Sequence, residues 1–161
     1  MDLFATLVTY DHIRSAAGVS EQELTNTEVD NSGLDTDLEL EVSEWLPSST
    51  SLTQIYDDGV DLAATQQQKL QMYAMSAYLK YTSAYLLFLT GVIRFSKKVS
   101  DSSNLMERNQ WTDEKVLRNL KAQADKYKNK FLELFDQPAD EFDTAIFMGA
   151  APPDYDPVTN T

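Results

Sequence analysis

The chain has 161 residues, thirteen Lys or Arg against twenty-six Asp or Glu, and a formal net charge of −13. The absence of cysteine excludes disulfides and thiol catalysis and fits a reducing compartment, while 42% apolar content is enough for the core of one domain. The charge is sorted: residues 1–64 hold fourteen acids and only Arg14, residues 65–135 hold twelve bases and six acids, and residues 136–161 hold six acids and no base. Most of such a surface repels phosphate, which argues against a general nucleic-acid binder. An acidic front and tail around a basic middle can attract further copies or a charged neighbour, so assembly is the leading expectation.

Met1-Asp2-Leu3-Phe4 lacks a basic n-region, so no secretory signal is expected. Thr6 to Val8 reads as a short extended lead-in. Tyr10 to Ala17 is predicted as a short helix with Thr9 as its cap, Ile13, Ala16 and Ala17 on one side, and Gly18 just beyond its end. Ser20-Glu21-Gln22-Glu23 has the capping-box pattern and opens a turn or short helix ending near Leu24. Asn26 to Gly33 is polar and acidic and reads as a loop. Leu34, Leu38, Val42, Trp45 and Leu46 are spaced by four, four, three and one, as on one helix face ended by Pro47. The alternation Leu38-Glu39-Leu40-Glu41-Val42 makes a short strand the competing reading of the Leu34–Trp45 segment.

Pro47 to Ser51 is a turn-rich connector, and Leu52, Ile55 and Tyr56 form a short apolar face before Gly59. Thr65-Gln66-Gln67-Gln68 is a second capping-box pattern, opening a principal helix expected to run to about Lys98. Three apolar stripes run along it, one of them Tyr78, Tyr81, Tyr85, Phe88, Val92 and Phe95. From Ala84 to Phe95 nearly every face is apolar, so the helix must be surrounded, by the chain itself, by a neighbouring subunit, or by both. That stretch is shorter than the roughly 20 residues of a membrane span, so a soluble protein is expected. Asp101 to Gln110 reads as a loop. Thr112 then caps a last helix carrying Val116, Leu120, Ala124, Tyr127, Phe131 and Leu134 on one face, ended by Gln137-Pro138. The fold class is all-α: a small helical bundle with two long antiparallel helices and short N-terminal helices. Residues 1–135 form the helical domain, and residues 136–161 an extended acidic C-terminal arm.

No constellation points to an enzyme, a cofactor or a metal. His12, the single histidine, sits beside Asp11 and Arg14 and reads as a surface or cap-side residue. Asp35, Asp37 and Glu39 alternate, but they lack the glycine turn and terminal ligand of a calcium loop and read as a solvated face. Arg94, Lys97 and Lys98 are expected to close the principal helix. There they offset its dipole, meet a neighbour's acidic segment, or lie near passing DNA. Phe142, Ile146 and Phe147 put large apolar groups into an acidic, proline-ended tail. Such a tail either folds back on its own core or orders on a partner by strand addition or pocket filling.

Two segments resemble the head-to-tail connector proteins of tailed bacteriophages, also called adaptor or head-completion proteins. Leu7-Val8-Thr9-Tyr10-Asp11-His12-Ile13-Arg14-Ser15-Ala16-Ala17-Gly18-Val19-Ser20-Glu21-Gln22-Glu23-Leu24 is similar to their short first helix and Gly-Val-Ser-type break. Arg94-Phe95-Ser96-Lys97-Lys98-Val99-Ser100-Asp101-Ser102-Ser103-Asn104-Leu105-Met106-Glu107-Arg108 resembles the basic linker between their two long helices. The proline-rich end and the acidic Leu34–Trp45 segment depart from the family pattern. The resemblance implies a non-enzymatic virion protein at the neck, assembled in the host cytoplasm. It implies a ring, usually of twelve copies, beneath the portal protein, meeting a tail-side protein and passing genomic DNA without specific binding. Phe142, Ile146, Phe147 and Tyr155 would then anchor the arm on the portal, while Arg94, Lys97 and Lys98 would meet a neighbouring subunit. The rival reading is an acidic DNA mimic or regulatory inhibitor that occupies a basic groove on a host protein.

Overall fold

In the computed structural model, which describes residues 6–93 and 113–136, hydroxyl side chains set most of the helix starts. Thr9 caps α1 (Tyr10–Ala17) by accepting from the His12 N–H, and Gly18 ends it at φ 70°. Ser51 caps α4 (Leu52–Val60), accepting from the Gln54 N–H. Thr65 and Gln68 form the expected reciprocal box at the start of α5 (Gln66–Leu89). Ser20 and Glu23 make a related contact, with the Ser20 N–H donating to Glu23 Oε2 at 2.8 Å while the Glu23 N–H donates to the Ser20 carbonyl. These contacts close a single turn that buries Leu24.

Three expectations need correction, and one open alternative is settled. Thr6 and Leu7 form a turn instead of an extended lead-in, with the Leu7 carbonyl accepting from Ser76 Oγ at 2.5 Å. The segment expected as a loop contains α2 (Asn26–Asn31), because Thr25 and Glu28 form a capping box and Val29 is buried. The Glu28 carboxyl accepts from the Thr25 N–H and hydroxyl, which holds it below its usual value. Leu34–Trp45 takes the helical reading and not the competing strand: α3 (Leu34–Ser43) buries Leu34, Leu38 and Val42 at spacings of four, whereas Leu40, which a strand would bury beside them, is 64% exposed. Trp45 and Leu46 lie in the turns that follow. Finally, α5 ends at Leu89, well before Lys98. Thr90 Oγ1 donates to the Leu86 carbonyl at 2.9 Å, and Gly91 at φ 76° lets Ile93 fold back onto the Leu87 carbonyl.

α5 is the hub. It packs against α1, α3, α4 and α6 (Asp113–Asp136), while α2 rests on α3. α5 and α6 have 24 residues each, about 36 Å, and run antiparallel. Gln67 and Gln71 at the start of α5 reach Leu134 at the end of α6, and Tyr81 stacks on Tyr127 at 5.7 Å midway. Met75, Leu79 and Leu87 of α5 and Phe131 and Leu134 of α6 are fully buried in the core, each side chain contributing about 1.5–3 kcal/mol. The short helices, with the turn before α2, complete the core through Ile13, Leu24, Val29 and Leu38. Tyr73 and Leu89 are the large apolar side chains that α5 exposes, so packing within one chain covers most of this helix.

Candidate functional site

Every residue that the sequence marked for portal docking or subunit contact lies outside the described residues. These are Arg94, Lys97 and Lys98 in the linker, and Phe142, Ile146, Phe147 and Tyr155 in the arm. The described helices instead offer two charged faces and an aromatic junction.

The first face is acidic. Between Asn26 and Asp61 the chain places ten carboxylates and no base, and all but Asp58 are exposed. On α3 the inward spacing of Leu34, Leu38 and Val42 turns Asp35, Asp37, Glu39 and Glu41 outward. Asp35 and Asp37 suit the positive N-terminal end of the helix. Glu39 and Glu41 do not: no base stands in the last turn, and each lies four residues beyond another acid. Like charges at that spacing cost a helix about 0.2–0.5 kcal/mol per pair.

The second face is basic. From Lys115 to Lys130, α6 carries six bases against one acid, Asp125. Lys115, Arg118, Lys121, Lys126 and Lys130 are exposed because Leu120, Ala124, Phe131 and Leu134 face inward. Lys130 pairs with Glu133 one turn along, at 3.4 Å. Among the described residues, no carboxylate of α2–α4 forms an ion pair with a base of α6. Arg14, alone among the first 64 residues in being basic, is 7% exposed. Its guanidinium donates to the Leu24 carbonyl, Asp11 and Asn26, tying α1 to the start of α2.

Trp45 links the two faces. Its ring meets Tyr78 edge-on at 5.0 Å and Phe131 at 5.8 Å, and Lys128 sits 4.9 Å over it. Its Nε1 donates to the Tyr78 hydroxyl at 3.3 Å, and that hydroxyl donates to Glu41 Oε1 at 3.4 Å. Burial pushes the Tyr78 hydroxyl up to about 12. The junction therefore fixes the end of α3 against α5 and α6. Sequence spacing placed Trp45 on an inward face, but the roles of Tyr78, Lys128 and Phe131 around it carry no local signal.

His12 is exposed, with its backbone N–H on the Thr9 hydroxyl. Among the described residues no cluster of three or more His, Asp or Glu could hold a metal ion, and no helix is long and apolar enough to cross a membrane. The fold is that of an all-α bundle built around one central helix. No family model, curated protein or solved structure matches the chain.

Proposed function

We propose that this chain is a structural virion protein, an adaptor that forms a ring between the portal and the tail of a tailed phage and extends the DNA channel. The observation that carries this reading is the pair of oppositely charged faces that, among the described residues, form no ion pair with each other. A ring of identical subunits brings such faces together once per interface. The resemblance of the first helix and of the basic linker supports the same reading. In it, Phe142, Ile146, Phe147 and Tyr155 anchor the arm on the portal, and Arg94, Lys97 and Lys98 meet a neighbouring subunit. Genomic DNA passes through without specific binding, since an acidic wall repels phosphate.

Electron micrographs of the cognate portal incubated with the protein test it. An added ring of density on the tail-facing side is the expected result, and a bare portal at saturating protein overturns the reading. The uninterrupted acidity of α2–α4 favours a second reading, a DNA mimic that binds a basic host protein. Stoichiometric capture of one such protein together with a bare portal is the outcome that selects it.

A further inference from the structure

We infer that the acidic outer face of α3 docks on the basic outer face of α6 of a second copy of this chain. This deepens the ring reading, on which it rests only for closure of the contacts into a ring.

Three observations converge on that occupant. The first is complementarity: the exposed acids around α3, among them Asp35, Asp37 and Glu39, and the outward bases Lys115, Arg118 and Lys121 of α6 have no partner across the two helices within the protomer. The second is that α3 keeps acids where they oppose its own stability. Glu39 and Glu41 crowd earlier carboxylates and stand near the negative end of the helix with no compensating base. A surface selected for folding alone would replace at least one of them. The third is Leu40, which is 64% exposed with Glu39 and Glu41 on either side. An apolar centre within a charged rim is the usual composition of a protein contact. On α6, Ala122 is exposed between Arg118 and Lys126, each four residues away. It gives Leu40 a shallow place to rest while the bases surround it. The Trp45 junction holds both faces rigidly, so neither has to reorganise on contact.

The test uses the full chain in two charge-reversed forms, chosen to spare the Trp45 junction. One carries Asp35→Lys, Asp37→Lys and Glu39→Lys, and the other Arg118→Glu, Lys121→Glu and Lys126→Glu, each first shown by circular dichroism to keep its helicity. In sedimentation velocity the native chain should self-associate, with an association constant that falls on the order of tenfold between about 50 and about 300 mM salt. Each reversed form alone should sediment as a monomer, and an equimolar mixture of the two should associate again. Because the native chain has no cysteine, Leu40→Cys and Ala122→Cys chains report the register. Mixed under oxidation, they should give the Leu40–Ala122 heterodimer in excess over both homodimers.

A native chain that stays monomeric at every salt, a mixture that stays monomeric, or homodimers in excess would each overturn the contact. Portal imaging separates this outcome from failure of the ring reading. Rings assembled equally well by either reversed form remove the contact and leave the ring. Salt-sensitive association restored by the mixture, beside a bare portal, removes the ring and leaves the contact.

Discussion

Gln67, in the first turn of α5, donates from Nε2 to the Leu134 carbonyl at 2.7 Å, and Gln71 donates to the same oxygen at 3.0 Å. Leu134 stands in the last turn of α6, where helix carbonyls lose their intrahelical donors. One end of the long hairpin is thus capped from across the interface. Replacing both glutamines with alanine leaves a buried acceptor unpaired and should cost about 1–3 kcal/mol, while Gln71→Ala alone should cost about 1 or less. Urea denaturation at unchanged m-value measures both. Equal, negligible effects would show that the carbonyl finds water.

Gly59 sits where α4 crosses α5. A Cβ added there would stand 2.5 Å from the Cβ of Met72. In an open helix Gly→Ala gains about 1 kcal/mol, but here overpacking reverses the sign, and Gly59→Ala should destabilise by about 1–3 kcal/mol. Met72→Ala added to it should not restore stability, since the closest clash is with the Cβ that alanine keeps. A stabilised Gly59→Ala protein, read by its thermal midpoint, would show that α4 shifts freely.

The Tyr78 hydroxyl is raised by burial from 10.0 to about 12. The native state therefore holds this proton to higher pH than the unfolded chain does. The stabilisation is fully present below pH 10 and is lost as the pH rises towards about 12. Urea midpoints of the native chain should fall across that window more steeply than those of Tyr78→Phe, which has no phenol to ionise at this site. Parallel slopes for the two proteins would place the hydroxyl in contact with water.

Deletion of residues 140–161 should leave the helical signal nearly intact while abolishing attachment to the portal, as an arm that orders on a partner requires. Circular dichroism and portal imaging of the truncated protein check the two halves separately. Undiminished attachment would remove Phe142, Ile146, Phe147 and Tyr155 from the docking account. Lys97→Glu with Lys98→Glu should weaken ring assembly more at low salt than at high salt. A salt-independent effect would argue against a charge contact there.

Several elements were legible in the chain because their cause lies within a single turn. Thr9 and Gly18 bracket α1, Thr65 and Gln68 open α5, and spacings of four turn Leu34, Leu38 and Val42 inward. The segment at α2 carried the same signature in Thr25 and Glu28, but one apolar anchor, Val29, was too little periodicity to outweigh its polar composition. The end of α5 was overestimated because apolar spacing continues past Leu89. Gly91 and the folding back of Ile93 stop the helix despite it.

The order of the charges along the chain, the helical class and the caps follow from residue identity, because hydrogen bonds to neighbouring backbone and side-chain period act over a few residues. Tertiary structure alone decided that α5 is covered largely by its own chain, that Trp45 gathers Tyr78, Phe131 and Lys128, and that, among the described residues, the acids of α3 form no ion pair with the bases of α6. Those outcomes depend on distances between residues far apart in sequence. Packing sets such distances, because each apolar face must find a complementary one before the charges around it acquire neighbours.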